Sequence, residues 1–442
     1  MNKLTEYLQS HDLSEIHPSK IAKILKEFDD EEFTQALTLV PKDLLGDVAL
    51  ALPDRLFDDL VESLSVDEIS HAVTELESDD QAEFMQELTE LDEEKAFEVF
   101  QTLHEDDQKE IRRLHNYDES EAGSHMQFEL FTAYKDEIVT DVIKRFARLR
   151  KENTIENVQN LFIKNKDNRL EYAVGLDDLL IFDFTKTVKE NIDTSDESFE
   201  PIFAKDTDPI KDVVHTFEEY DLSVLAIVND YGVLLGRITS DDIYDIINEH
   251  ATEQMYNLAG VDDEAEEDDE IFLAGKKRAV WLLFNLLTAV IASAVIGIFS
   301  ETLQNMVALA VLMPIVASMG GNAGTQTLTV VVRQLALGDI STGDAKRTIK
   351  KEVTISLLNG VFFAIIVGII ATIWYDKGML GVVIALSMLI NLFMAGIFGA
   401  SVPLILKRLD IDPAIGSTVI LTTVTDVVGF FSFLALATYI LF

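Results

Sequence analysis

The chain contains no cysteine in 442 residues. That excludes disulfide scaffolds, thiolate zinc sites and cysteine nucleophiles. Basic residues are scarce, 35 against 78 acids, for a formal charge of −43. Nucleic-acid binding needs a basic footprint, so no nucleic-acid partner is expected. All eight histidines fall between positions 11 and 250, and the last 192 residues have none. Without Cys or His there, soft-metal carriage and imidazole proton relays lose their usual ligands, and oxygen chemistry is left. The first residues hold no apolar core, so no cleaved signal peptide is expected. No nucleophile–base pair, phosphate-cradling glycine loop or metal–histidine motif stands out, so the chain does not read as an enzyme.

What is present is divided in two. From Lys276 onward lie 11 of the basic residues and 8 of the acids, a net +3. The first 275 residues therefore carry −46. The second part holds long apolar stretches: 279–299, 306–332, 353–375 and 379–406 are uncharged, and 413–442 carries one ionisable group, Asp426. Twenty-one helical residues reach about 32 Å, enough to cross a hydrocarbon core. Five crossings are expected. With the acidic part inside, the inner loops hold Lys276, Lys277, Arg278, Arg333, Lys346, Arg347, Lys350, Lys351, Lys407 and Arg408, and the outer ones only Lys377. This bias predicts a cytoplasmic N-terminal region and an outer C-terminus, in the cell membrane.

The acidic part reads as two modules and a connector. Over residues 1–118 a leucine followed by a polar or acidic turn recurs every 12 to 15 residues, as at Leu52-Pro53-Asp54 and Leu64-Ser65-Val66-Asp67. The spacing predicts short helices begun by Pro, Ser or Asp and stacked as an all-α superhelix. Over 119–240, β-rich runs such as Val224–Val228 and Leu234–Thr239 alternate with helical segments, an α/β pattern. Residues 241–275 connect to the membrane part, 276–442. Within the connector, Asp242, Asp245, Glu249 and Glu253 are spaced +3, +4, +4, and so line one helix face within about 80°. Like charges at this spacing repel. Three environments would relieve them: divalent cations, which favour oxygen ligands; the basic knot Lys276-Lys277-Arg278; or plain solvation.

Two polar features stand out in the apolar part. Thr418, Thr422 and Asp426 are four residues apart and form one stripe, with Thr425 on its flank. Asp426 is 14th of 30 in its stretch, near mid-bilayer, where lipid exposure costs at least ~2.5–3.5 kcal/mol. A permeation or cation-binding role outweighs a protonated structural acid. The second feature is Pro314 with Gly320-Gly321-Asn322-Ala323-Gly324-Thr325-Gln326, read as a break in the second crossing. Broken backbone at membrane depth persists only where protein or a wet cavity satisfies it. Glycine packing would not explain Asn322, Thr325 and Gln326 beside it.

The run Val224–Asp242 resembles the second half of a CBS domain, and residues 128–180 are a weaker first copy. That resemblance implies contact between Thr239 and Asp242 and the ribose of an adenosine nucleotide, which leaves ATP as a candidate ligand; capping of the next helix by the same two residues is the alternative. Taken together, the glycine-rich heptapeptide, the Thr422–Phe430 run and an acidic helical repeat plus CBS pair ahead of five crossings resemble the MgtE family of magnesium channels across essentially the whole chain. Glu121-Ala122-Gly123 also looks like a family feature. The resemblance implies a homodimer with a pore on its two-fold axis, Asp426 as the selective ring and Asn322 among the pore-lining residues. It implies a connecting helix that acts as a plug, with cytoplasmic Mg²⁺ holding the acidic modules closed through Gly123, Asp221, Asp242, Asp245, Glu249 and Glu253. Asp412 would face the plug. Gln254 and His250 stand where the family often has acids, so the number of regulatory sites is open, as is any share taken by Asp67, Asp79 or Asp80. A divalent-cation carrier exchanging H⁺ or Na⁺, and a membrane-anchored metal or nucleotide sensor, are the other readings.

Overall fold

The computed structural model describes residues 2–11, 16–152, 154–155, 157–261, 271–337, 340, 342–409 and 411–442. The chain divides into two units, Met1–Ile247 and Asn248–Phe442.

The first unit begins with short helices: α1 (Asn2–Ser10), α2 (Pro18–Leu25), α3 (Asp30–Leu37), α4 (Leu45–Leu50), α5 (Asp54–Ser63), α6 (Val66–Thr74), α7 (Ser78–Leu91), α8 (Glu93–Thr102) and α9 (Glu105–Leu114). Polar residues at the turns start them. Asp29 and Asp92 accept from the Glu32 and Lys95 amides, and Ser65 forms a capping box with Glu68. Such caps satisfy amides that a helix start leaves unpaired. One apolar core, including Ile21, Phe33, Phe57, Leu60, Ile69, Phe84 and Val99, runs through the stack.

A repeated α/β module follows. The first copy has β1 (Thr132–Tyr134), α10 (Val139–Lys151), β2 (Asn160–Lys164), β3 (Leu170–Gly175) and α11 (Leu176–Ile181). After α12 (Val188–Thr194), the second has β4 (Phe203–Lys205), α13 (Ile210–Tyr220), β5 (Val224–Val228), β6 (Leu234–Thr239) and α14 (Ser240–Ala259). Each sheet pairs its first two strands in parallel and its last two antiparallel, with an irregularity at the same place in the hairpin. The matching topology establishes the pair of CBS-like copies, including the first, whose residues match less well.

The second unit holds α15 (Ile271–Ile298), α16 (Ser300–Asn305), α17 (Val307–Ala336), α18 (Ala345–Tyr375), α19 (Gly378–Arg408) and α20 (Ser417–Leu441). Among the described residues, five of these are long and apolar enough to cross a bilayer. Small residues set the packing. The buried face of α18 is Thr348, Glu352, Ser356, Gly360, Ala364, Gly368 and Ala371, almost all four apart. A Cβ on Gly381 of α19 would stand 2.5 Å from the Gly368 carbonyl, and one on Gly399 would stand 2.8 Å from the Gly324 carbonyl. Close backbone approach replaces the hydrophobic effect, which is weak between helices in lipid. α17 is one continuous helix through Pro314 and the glycine-rich segment, where a break was expected. Gly320 and Gly324 are buried against Asn391 of α19 and Leu421 of α20, so the segment is packed on neighbouring side chains within one unbroken helix.

Candidate functional site

In the first unit, acids from two distant segments meet. Asp79 and Asp80 sit in the first turn of α7, and Asp242 in the first turn of α14. The Asp242 carboxylate accepts from the Thr239 amide (3.1 Å), the Thr239 hydroxyl (2.7 Å) and the Gln127 amide (3.5 Å). Gln127 also bonds Asp79, and its Oε1 accepts from Nε of the buried Arg237 at 3.2 Å. Arg237 lies 3.8 Å from Glu77. Beside them Ser78 donates from its amide and hydroxyl to Glu129 (3.1 and 2.9 Å) and accepts from the Phe128 amide (2.8 Å). The helical stack is thereby docked on the α/β pair by a polar seam.

That seam is electrostatically loaded. Burial, then the charges of Asp242 and Asp80, push Asp79 well above the ordinary 3.8. Burial, Glu83 and Asp242 raise Asp80 to about 8. Asp242 is raised to about 6 by burial against the opposing pull of its Thr239 bonds. Three carboxylates that resist ionisation, held by elements more than 150 residues apart in sequence, stand close enough for Asp242 to raise both Asp79 and Asp80. Thr239 is buried and its hydroxyl donates to Asp242, the geometry of a helix cap.

The other expected regulatory positions are scattered. Gly123 lies in a short helical turn where a Cβ would strike the Tyr117 ring at 2.5 Å; its amide donates to the Asp206 carbonyl. Asp221 is an exposed left-handed residue (φ 50°) at the end of α13. Asp67 is exposed in the first turn of α6. Asp245 and Glu249 are exposed on α14, and the Glu253 carboxylate lies 3.2 Å from Nδ1 of His250. Asp43, His71 and Glu75 form a further surface group, with ligand atoms within 4.8 Å of one another.

In the second unit two polar faces appear on bilayer-length helices. Ser318, Asn322, Thr325 and Thr329 are all exposed on α17. At 100° per residue they fall within about 60°, opposite the packed face formed by Val316, Gly320, Gly324, Thr327 and Val331. On α20, Thr418, Thr422 and Asp426 are half-buried in one line. The Thr418 hydroxyl donates to the Leu258 carbonyl at the end of α14 (2.8 Å), and that of Thr422 to the Thr418 carbonyl (2.9 Å). Thr425 is fully buried and its hydroxyl bonds the Leu421 and Thr422 carbonyls, each at 3.1 Å. Leu258 packs against Leu328, Val332, Ala414 and Leu421, and Asp412 accepts from the Ala414 amide. The connecting helix thus ends against the first turn of the helix that carries Asp426.

Sequence reasoning missed Gln127 and Arg237, which no spacing rule ties to α7. It also missed Glu352, a buried acid in the third turn of α18, and Asn391, buried in α19. Asn391 had a signal: it is the one amide in the uncharged run 379–406.

An acidic helical stack and a CBS-like pair ahead of five bilayer-length helices, two with polar faces, have the layout of a membrane transporter. Residues 313–436 match the family described as "Divalent cation transporter" (MgtE), residues 16–120 the MgtE intracellular N domain, and residues 195–249 the CBS domain. A magnesium transporter MgtE of Thermus thermophilus is 28% identical over 432 residues, 97% of this chain and 94% of that protein. One of Bacillus subtilis is 27% identical over 429 residues, 96% and 92%. A crystal structure of the cytosolic domain of the Mg²⁺ channel MgtE in complex with ATP has 26% identity and a TM-score of 0.49, over 55% of this chain and 98% of that one. The chain belongs to the MgtE family of magnesium transporters.

Proposed function

We propose that the protein is a Mg²⁺-selective, channel-type importer of the cell membrane, working as a homodimer and closed by cytoplasmic Mg²⁺. The observation that carries this reading is a pair of polar faces on bilayer-length helices, the exposed stripe of α17 and the half-buried Thr418–Thr422–Asp426 line of α20. Polar side chains turned outward on a bilayer-length helix are costly against lipid. A second copy would cover them and leave a wetted path between the two. Large apolar side chains also point outward, Val280, Leu282, Leu283, Phe284, Leu286 and Leu287 on α15 among them. These suit lipid and the partner subunit.

The chemistry suits Mg²⁺. The ion releases its water shell reluctantly. Two symmetry-related Asp426 carboxylates can hold a hydrated ion through its waters and still let it go, as conduction requires. For closure, the acids of α7 and α14 provide the sensor. Mg²⁺ that binds the docked arrangement more tightly than the open one shifts the balance toward closure. The Leu258–Thr418 bond supports α14 as the plug. The positive bias of the inner loops supports a cytoplasmic sensor.

Uptake of Mg²⁺ into proteoliposomes tests transport. Uptake that persists with no H⁺ or Na⁺ gradient is expected; a strict need for either gradient would point to a carrier, and no uptake at all to a sensor.

The raised acids predict a pH dependence. A carboxylate whose pKa is higher in the docked form costs nothing below about pH 4. It weakens docking as pH climbs through the 4-to-8 window. In chelator, protease resistance of the cytoplasmic part should be greater at pH 5.5 than at pH 8. Added Mg²⁺ should restore more protection at pH 8. Equal protection at both pH values in chelator would contradict the loaded seam.

A further inference from the structure

Asn391 sits near the middle of α19 and is completely buried. Its Nδ2 donates to the Val316 carbonyl of α17 at 2.9 Å. Its Oδ1 is buried and has no hydrogen-bond partner. Glycines meet it from two helices. A Cβ on Gly320 of α17 would lie 2.1 Å from Nδ2, and one on Gly429 of α20 would lie 2.7 Å from it. Only glycine lets both helices close on this carboxamide. Leucine has the same branched outline and would suit an apolar interior better, since a buried acceptor without a partner loses its hydration and gains nothing in return. The amide is therefore a poor choice for packing alone.

Its place accounts for it. Gly320 is two residues from Asn322, on the opposite face of α17. Gly429 follows Asp426 by three residues, under one turn of α20. A single side chain thus touches both helices that present the polar faces, and its hydrogen bond fixes the height of α17 against α19. We propose that Asn391 is a positioning residue of the permeation pathway. It holds α17 and α20 in register, so that the Asn322 face and Asp426 keep a fixed offset around the passing ion. A fixed offset matters because a hydrated cation is selected by several oxygens at once, and small displacements of such groups are costly to rate.

The inference rests on the permeation reading above, and the test separates the two. Full-length Asn391→Leu is reconstituted and Mg²⁺ and Ca²⁺ uptake are measured beside wild type and Asp426→Ala. The expected result is a loss of maximal Mg²⁺ uptake of about tenfold or more. The Mg²⁺:Ca²⁺ uptake ratio should move as well, while the size-exclusion profile and melting temperature stay as in wild type. A purely structural role would lower both uptakes in proportion and leave the ratio alone. Gly320→Ala is the second variant. Its methyl group pushes the carboxamide off the Val316 carbonyl while Asn391 remains, and it should move the ratio in the same direction. It also serves if Asn391→Leu does not fold. A wild-type ratio in either folded variant overturns the proposal. Normal uptake in Asp426→Ala would instead overturn the pathway itself.

Discussion

Asp426→Ala should abolish Mg²⁺ uptake into proteoliposomes while the protein stays folded. The size of the effect follows from charge. A carboxylate about 5 Å from a dication, across one water layer, attracts it by roughly 1.7 kcal/mol even at the dielectric constant of water. Two copies contribute more than about 3 kcal/mol, and the drier middle of a bilayer strengthens both. At about 1.4 kcal/mol per tenfold, the loss exceeds about 100-fold in rate or occupancy. Asp426→Asn should fall between, because it keeps an oxygen for the hydrated ion and loses the charge. Flux at the wild-type level in Asp426→Ala would remove Asp426 from the pathway.

The combined change Asp242→Asn, Asp245→Asn and Glu253→Gln should leave transport intact and weaken its inhibition by internal Mg²⁺. Driving a gate from 1:99 to 99:1 needs about 10⁴-fold tighter binding to one state. No single exposed carboxylate supplies that. Several acids sharing ions across the docked seam can. Asp242 contributes most by position, beside Asp79 and Asp80 and bonded by Gln127. The triple variant should therefore move half-inhibition to at least about tenfold higher Mg²⁺. Unchanged inhibition would remove the gating role of α14. Asp79→Asn with Asp80→Asn should give the same phenotype from the other side of the seam.

The five crossings and the second CBS-like copy were legible because their signals are local. Long uncharged runs and the alternation around Val224–Thr239 need no knowledge of distant residues. Asp426 was legible for the same reason, as a lone carboxylate in an apolar stretch. The acid cluster was less so. Asp79 and Asp242 lie 163 positions apart in sequence, and only docking of α7 beside α14 brings them together. Singly, each looks like an acid in a helix first turn, which it also is. The glycine-rich segment of α17 misled in the opposite way. Glycine weakens an isolated helix, yet here each buried glycine faces a side chain or backbone that needs its space. Asn391 stayed hidden because no periodicity marks a residue whose role depends on glycines in two other helices.

Solvent access at position 426 tests the central claim most directly, and the absence of native cysteine makes the measurement clean. Asp426→Cys in the full-length protein would be treated with a charged, water-soluble thiol reagent, in chelator and then in millimolar Mg²⁺. The account predicts rapid labelling in chelator and marked slowing when Mg²⁺ closes the path. No labelling in either condition, with full labelling after denaturation, would mean that position 426 is sealed from water, and the pathway placed there would not exist.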